Sequence, residues 1–317
     1  MESYYVLAFY IFTPISDPRE EVRKHHEFFK TRDIRSRVYI SQEGINGQMS
    51  ALESHAIEYM EWVKGDERFK EIDFKIHIHP EHAFPKTTVK YKEQLVALDR
   101  ACDLTQAGKH LSASEWKQML CQKDNDTIVI DVRNDYEWVI GHFEGALKPA
   151  LDTFRKFPEY VDALKKEYNP ATTKVMMYCT GGIRCELYSA LMKQEGFGTV
   201  YQLDGGVIKY GQQEGSDQWK GKLFVFDDRL SVSIAQDGKE KVISSCSHCQ
   251  CPSDVYYNCA NMDCNELFLC CPNCAEKYQG SCCTDCQGAE RLRPYQQGDG
   301  RPKPFRKWYH YGDVKGK

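Results

Sequence analysis

Cys179 ends the apolar run Lys174-Val175-Met176-Met177-Tyr178. It is followed by Thr180, Gly181, Gly182, Ile183 and Arg184, and then by a helical segment from Glu186 to Gln194. A cysteine between strand and helix, with two glycines after it, can sit in a nest of main-chain N–H groups at the positive end of the helix. Such a nest stabilises the thiolate, which is the nucleophilic form. Arg184 adds a fixed cation that can hold an anionic substrate or stiffen the loop. The competing reading is a buried structural cysteine at a strand end. Cys185 either resolves a persulfide or disulfide at Cys179 or packs inward as a small apolar residue.

The second chemical concentration lies further along. Of fifteen cysteines, eleven fall between Cys246 and Cys286. The pairs Cys246/Cys249, Cys271/Cys274 and Cys283/Cys286 have knuckle spacing, and Cys259/Cys264 is a fourth pair. Eight thiolates suffice for two tetrahedral zinc ions. The pairing stays open: Cys251, Cys270 and Cys282 are alternatives, and His248 could replace a thiolate. An iron–sulfur cluster is the main rival. No flavin or nicotinamide fingerprint is present. His77, His79 and Glu81 imitate a two-His-one-carboxylate iron site, but Pro80 breaks the strand before Glu81, and an exposed polar strand face is the better reading.

Positioning these groups requires several elements. Residues 1–100 read as short strands and helices in a βαββαβ order, a ferredoxin-like, acylphosphatase-like sandwich. Within it, Asp17-Pro18 opens a helix, Glu43-Gly44-Ile45-Asn46-Gly47 forms a turn, and Phe74 to His79 alternates as a half-buried strand. Residues 101–123 form a linker and a helix, with a capping box at Ser112 and Glu115. Residues 124–220 alternate strands (Thr127–Val132, Lys174–Tyr178, Thr199–Leu203) with helices, which argues for a parallel α/β sheet. Leu223 to Ile234 reads as a hairpin or connector within a Cys-rich metal-binding region, 221–290. The tail, 291–317, holds eight Lys or Arg against Asp299 and Asp313, interleaved with aromatic rings. Arg306, Lys307 and Trp308, with Lys86, Lys90 and Lys92, are candidate RNA contacts, since cations suit phosphates and rings suit splayed bases.

The 317-residue chain has a formal net charge of −4 and is 41% hydrophobic. That balance fits a globular protein and exerts no global pull toward nucleic acid or membrane. No run approaches the ~18 apolar residues of a membrane span, and the first residues lack a basic signal-peptide region. A cytoplasmic setting without membrane contact is expected, and in it dense cysteines point to metal thiolates rather than disulfides. Nothing in the sequence speaks to oligomeric state.

Around the loop stand Asp131-Val132-Arg133 with Glu137, then Gly141-His142-Phe143-Glu144-Gly145-Ala146, then Leu203-Asp204-Gly205-Gly206-Val207. In this order, residues 124–220 resemble a rhodanese domain. The resemblance implies a loop cysteine able to carry a persulfide. Asp131, Arg133 and His142 match positions that organise the structure more than they perform chemistry. The six-residue loop is similar to those of sulfur-handling rhodaneses; the phosphatase relatives have one residue more. With Glu43–Gly47 before it and Cys271-Pro272-Asn273-Cys274-Ala275-Glu276-Lys277-Tyr278 after it, the chain over about residues 1–290 resembles the tRNA uridine hydroxylase family. That resemblance implies oxygen-dependent hydroxylation of uridine 34 of tRNA to 5-hydroxyuridine. It makes dioxygen a co-substrate, tRNA the partner, and Cys179 the essential residue. A sulfurtransferase carrying persulfide on Cys179 is the alternative enzyme, and a non-catalytic RNA- or protein-binding adaptor the alternative outside catalysis.

Overall fold

The computed structural model describes residues 3–98, 100–151, 153–235 and 238–295. They divide into two compact units, one drawn from Met1–Asn134 and Gly145–Asp217, the other from Asp135–Glu144 and Gln218–Lys317.

The first unit opens with β1 (Tyr4–Phe12), α1 (Pro18–Phe29), β2 (Ile34–Ser41), β3 (Gly44–Leu52), α2 (Glu53–Lys64), β4 (Lys75–His79) and β5 (Thr87–Tyr91). Helix α1 starts as its sequence dictates: the Asp17 carboxylate accepts the Glu20 N–H at 2.9 Å, and Pro18 occupies the first turn. The sheet order is β4-β1-β3-β2-β5. Its first four strands are the ferredoxin-like, acylphosphatase-like arrangement, and β5 adds a parallel edge beside β2. Phe29, Ala56, Tyr59 and Val63 from the helices close over Leu7, Phe9, Val38, Ile40 and Met49 of the sheet. Strand β4 departs from simple alternation. Ile76 and Ile78 are exposed and Lys75 is buried; among the described residues β4 is an edge strand, paired with β1.

The chain continues through β6 (Lys109–Leu111), α3 (Ala113–Cys121) and β7 (Thr127–Asp131); then α4 (Asp135–Ile140) and β8 (Gly141–Phe143), which group with the second unit; then α5 (Phe157–Glu167), β9 (Lys174–Tyr178), α6 (Ile183–Gln194), β10 (Thr199–Leu203) and α7 (Gly206–Glu214). The Ser112/Glu115 capping box forms at the start of α3. Strands β6-β10-β9-β7 make a parallel sheet. All five residues of β7 are buried, as expected of a parallel strand covered on both faces. The loop after β9 lies at the carboxyl end of the sheet, where open α/β folds place their ligands.

In the second unit β8 pairs antiparallel with β11 (Trp219–Gly221). A two-residue hairpin, β12 (Leu223–Phe224) with β13 (Ser231–Val232), follows. Then come β14 (Tyr256–Asn258) paired with β15 (Leu267–Leu269), α8 (Pro272–Lys277) and α9 (Thr284–Gln287). Ile140 packs with Phe224, Tyr256 and Leu269, and Tyr256 Oη donates to Tyr136 O at 2.6 Å. These contacts draw the segment Asp135–Glu144 out of the 124–220 block to which its sequence position assigned it. No helix among the described residues is long and apolar enough to cross a membrane.

Candidate active site and cysteine centres

Strand β9 delivers Tyr178 and then Cys179 to the loop. Beside it, Asp131 at the end of β7 accepts hydrogen bonds from the Arg133 main-chain N–H (3.0 Å), Arg133 Nε (2.9 Å), Arg133 Nη2 (2.6 Å) and Tyr178 Oη (2.7 Å). Asp131 and Arg133 are buried. A buried ion pair is tolerated when its partners are this fully satisfied, and here it ties β7 to β9 one residue before the cysteine. Cys179 Sγ accepts the Gly182 N–H at 3.1 Å. Arg184 Nη2 donates to Thr180 Oγ1 at 3.3 Å. The loop is pinned from α7, whose Val207 and Ile208 N–H groups donate to Cys179 O (3.0 Å) and Thr180 O (3.1 Å). That approach needs Gly206: it has φ +67°, and a Cβ there would stand 2.6 Å from Cys179 O and 2.7 Å from Gly182 N.

Burial works against ionisation of Cys179. It is outweighed by the Cys185 thiol, the Arg184 cation and the N–H groups of Arg184 and Gly182, which together bring the Cys179 thiol down to about 5. Cys185 shifts the other way: burial and the neighbouring Cys179 push it well above its ordinary value, so it remains a protonated donor. The sulfur is cupped as expected but is not open. Cys179 is 0% exposed and packs with Ile130, Val132 and Tyr188. The same covering that hides the sulfur lowers the local dielectric and strengthens each dipole aimed at it.

A second network adjoins the loop, and sequence reasoning missed it. Glu186, in the first turn of α6, accepts from Tyr10 Oη at 3.0 Å through Oε1 and from Gln202 Nε2 at 3.1 Å through Oε2; His110 Nε2 lies 3.0 Å from Oε1. Burial opposes the Glu186 charge, but His110, Tyr10 and Gln202 hold its carboxyl below the ordinary value, and Glu186 in turn raises His110. Burial and the charges of Glu186 and Cys179 push the Tyr10 phenol far up, so it stays a neutral donor. Tyr10 also meets the loop: a Cβ on Gly182, at φ +105°, would lie 2.7 Å from Tyr10 Oη. Tyr10, His110 and Glu186 line a cavity of about 340 Å³ with Lys75, Asp204 and Gly205. Within reading distance of the sequence, only Glu186 carried a signal, as the residue after Cys185.

The remaining candidates are placed as follows. His142, in the second unit, has Nδ1 2.9 Å from Trp138 O and stacks on the Trp138 ring at 3.8 Å. Lys86, Lys90 and Lys92 are exposed, on or beside edge strand β5, and Lys92 Nζ sits 5.3 Å over the Tyr39 ring. Arg306, Lys307 and Trp308 lie outside the described residues.

Residues 4–95 match the UPF0176 acylphosphatase-like domain, 112–213 the rhodanese-like domain and 220–287 the rhodanese C-terminal domain. The tRNA uridine(34) hydroxylase of Protochlamydia amoebophila is 56% identical over 98% of this chain and 96% of its own length. The chain belongs to the tRNA uridine(34) hydroxylase family. Hydroxylases of the same name from Chlamydia trachomatis serovar D and Chlamydia felis are each 52% identical, over 96% and 97% of this chain and 93% and 94% of their own lengths.

This member of the hydroxylase family gathers its cysteines into two four-sulfur groups, Cys246/Cys249/Cys271/Cys274 and Cys259/Cys264/Cys282/Cys286, each with all sulfurs within 4.8 Å of one another. Either group could hold a metal ion. Four sulfurs bound at about 2.3 Å to one zinc stand about 3.8 Å apart. Cys249–Cys271 at 3.7 Å, Cys264–Cys282 at 3.8 Å and Cys282–Cys286 at 3.7 Å fit that edge. The second group takes in Cys282, one of the alternatives, in the place expected for Cys283. Cys283 Sγ accepts the Cys286 N–H at 3.5 Å at the start of α9, as Cys271 Sγ accepts the Cys274 N–H at 3.4 Å at the start of α8. Cys251 and Cys270 stand outside both groups, as does His248, which stacks on Tyr278 at 3.9 Å.

Proposed function

We propose that this chain hydroxylates uridine 34 of tRNA to 5-hydroxyuridine in the cytoplasm, with dioxygen as co-substrate and Cys179 as the nucleophile. The observation that carries the reading is the depressed Cys179 thiol, about 5, with the Gly182 N–H 3.1 Å from its sulfur. A thiolate of that kind adds to C6 of uracil. The Sγ–C6 bond forms, the C5–C6 π pair moves onto C5 and O4, and the electron-rich C5 bonds one oxygen of dioxygen. The O–O bond then breaks, the second oxygen leaving as water with two protons and two electrons drawn from an external thiol reductant that is oxidised to its disulfide. Loss of the C5 proton then expels the thiolate and restores the ring. Thr180, Gly181, Gly182, Ile183 and Arg184 shape the cradle. Cys185 keeps its proton and supports the neighbouring thiolate by hydrogen bonding. Asp131 and Arg133 hold the strand ends that present the loop. His142 takes a structural place against Trp138.

The cysteine groups each hold a structural zinc. Chelation there fixes the chain segments that surround a small buried cluster of Tyr257, Phe268 and Ala275. Lys86, Lys90 and Lys92, with the basic tail, meet tRNA phosphates. In domain terms, 1–100 and the Cys-rich region grip tRNA while 124–220 acts on it. Mass spectrometry of nucleosides from tRNA treated with the purified chain tests the reading. Wild type yields 5-hydroxyuridine and Cys179→Ser yields none; equal yields would overturn it. Sulfur transfer from thiosulfate without hydroxylation would favour the sulfurtransferase alternative.

A further inference from the structure

We propose that the cavity walled by Tyr10, Glu186 and Lys75 is the seat of the extruded wobble base, holding a neutral, uracil-like heterocycle beside the Cys179 loop. This rests on the reading that Cys179 acts on a uridine and names the site that presents it.

The volume of about 340 Å³ lies at the small end of ligand pockets, about 300–1,000 Å³. Enzymes acting on a base take it out of the stack, read its polar edge and sandwich its faces. The lining supplies both functions. Phe12 lines the cavity as an aromatic ring, with Ile11 and Leu104 beside it, and the Tyr10 ring carries the Lys75 Nζ over it at 5.1 Å. Lys75 is the polar anchor. It is 5% exposed, an unusual place for an ammonium. Its ion-pair partner Asp73 has Oδ2 at 3.6 Å, beyond hydrogen-bond distance. An ammonium has three donors, so Lys75 has donors to give to a carbonyl oxygen such as O2 or O4 of uracil. Glu186 already accepts from Tyr10 and Gln202 and meets His110. A carboxylate has about four acceptor positions, which leaves one for a ring N–H such as N3–H.

The charge balance selects the class of ligand. Glu71, Asp73, Glu186 and Asp204 face the cavity against Lys75 and His110. Lys209 bridges Asp204 at 2.5 Å and Asp73 at 3.6 Å, so the charges nearly balance, no surplus cation is left to hold a phosphate, and the cavity suits a neutral ring with both donors and acceptors. Position ties the cavity to the chemistry. Tyr10 Oη abuts Gly182 of the loop, and Gly205, on the cavity wall, precedes the Gly206 that touches Cys179 O.

The test uses the full chain and two anticodon stem-loop RNAs, one with uridine at the wobble nucleotide and one abasic there, in fluorescence anisotropy titrations. Wild type should bind the uridine RNA about ten-fold more tightly, the worth of one or two hydrogen bonds to charged groups. Lys75→Met should abolish that preference and leave the abasic affinity unchanged. Leu104→Trp, which narrows the cavity from its half-buried side, should do the same even if Lys75→Met folds poorly. Cys179→Ser should keep the preference while losing hydroxylation. A preference that survives both cavity variants, or a wild type with none, overturns the proposal. A Cys179→Ser chain that still hydroxylates overturns the catalytic reading instead.

Discussion

At the scale of single residues, the chemistry turns on which cysteine is ionised. Cys179 and Cys185 are both fully buried, and burial alone would raise both thiols. The loop amides and Arg184 favour only one of them, so the pair separates into a thiolate and a proton donor. The sign for pH follows. A folded value depressed to about 5, below the ordinary ~8.5, means that ionisation stabilises the fold above that ordinary value. This contribution is lost as pH falls through about 5. Site-resolved iodoacetamide labelling of Cys179 should therefore stay level from neutrality downward and fall near pH 5. Arg184→Leu should move the inflection up by about one unit, or ~1.4 kcal/mol of thiolate stabilisation. An inflection near the ordinary thiol value in wild type would contradict this. The thiolate was legible in the sequence because its determinants are local: Gly182, Ile183, Arg184 and Cys185 follow the cysteine directly. Its complete burial was not, since that depends on Val132 and Tyr188 arriving from other elements. Nor was the Tyr10–Glu186 bond, whose partners lie 176 residues apart.

At the scale of elements, the loop is held in shape by its neighbours as much as by its own glycines. The first turn of α7 docks on Cys179 O and Thr180 O, and only a residue without Cβ allows it to approach. Gly206→Ala combines a left-handed φ with a backbone clash. It should lower stability by about 1–3 kcal/mol in urea denaturation and slow Cys179 labelling at neutral pH. An unchanged midpoint would show that α7 does not constrain the loop. Element types were readable where capping and periodicity agree, as at Asp17 for α1 and Ser112 for α3. Strand β4 misled: the alternation of Ile76 and Ile78 pointed to a half-buried face, but in this edge strand both isoleucines are exposed and Lys75 is buried. Period two records which residues share a face and is silent about which face is covered.

At the scale of the whole molecule, the chain joins an acylphosphatase-like sandwich and a rhodanese sheet in one compact unit, and carries the cysteine groups in another. Spacing alone pointed to sulfurs that could hold metal but not to which ones, because adjacent Cys282 and Cys283 offer two registers and only the folded chain gathers Cys282 with Cys259, Cys264 and Cys286. Elemental analysis should give about two zinc ions per chain. Cys282→Ser should lose one of them and Cys283→Ser neither. Equal losses would undo the assignment. The central claim joins all three scales: the Cys179 sulfur forms a bond to C6 of the wobble uridine. Fluorine at C5 leaves no proton for the elimination that releases the enzyme. Denaturing electrophoresis of the chain incubated with 5-fluorouridine-substituted tRNA therefore tests the claim most directly. A covalent protein–RNA band should form with wild type and disappear in Cys179→Ser. A band of equal intensity in the serine variant, or none with a wild type that still hydroxylates ordinary tRNA, would contradict it.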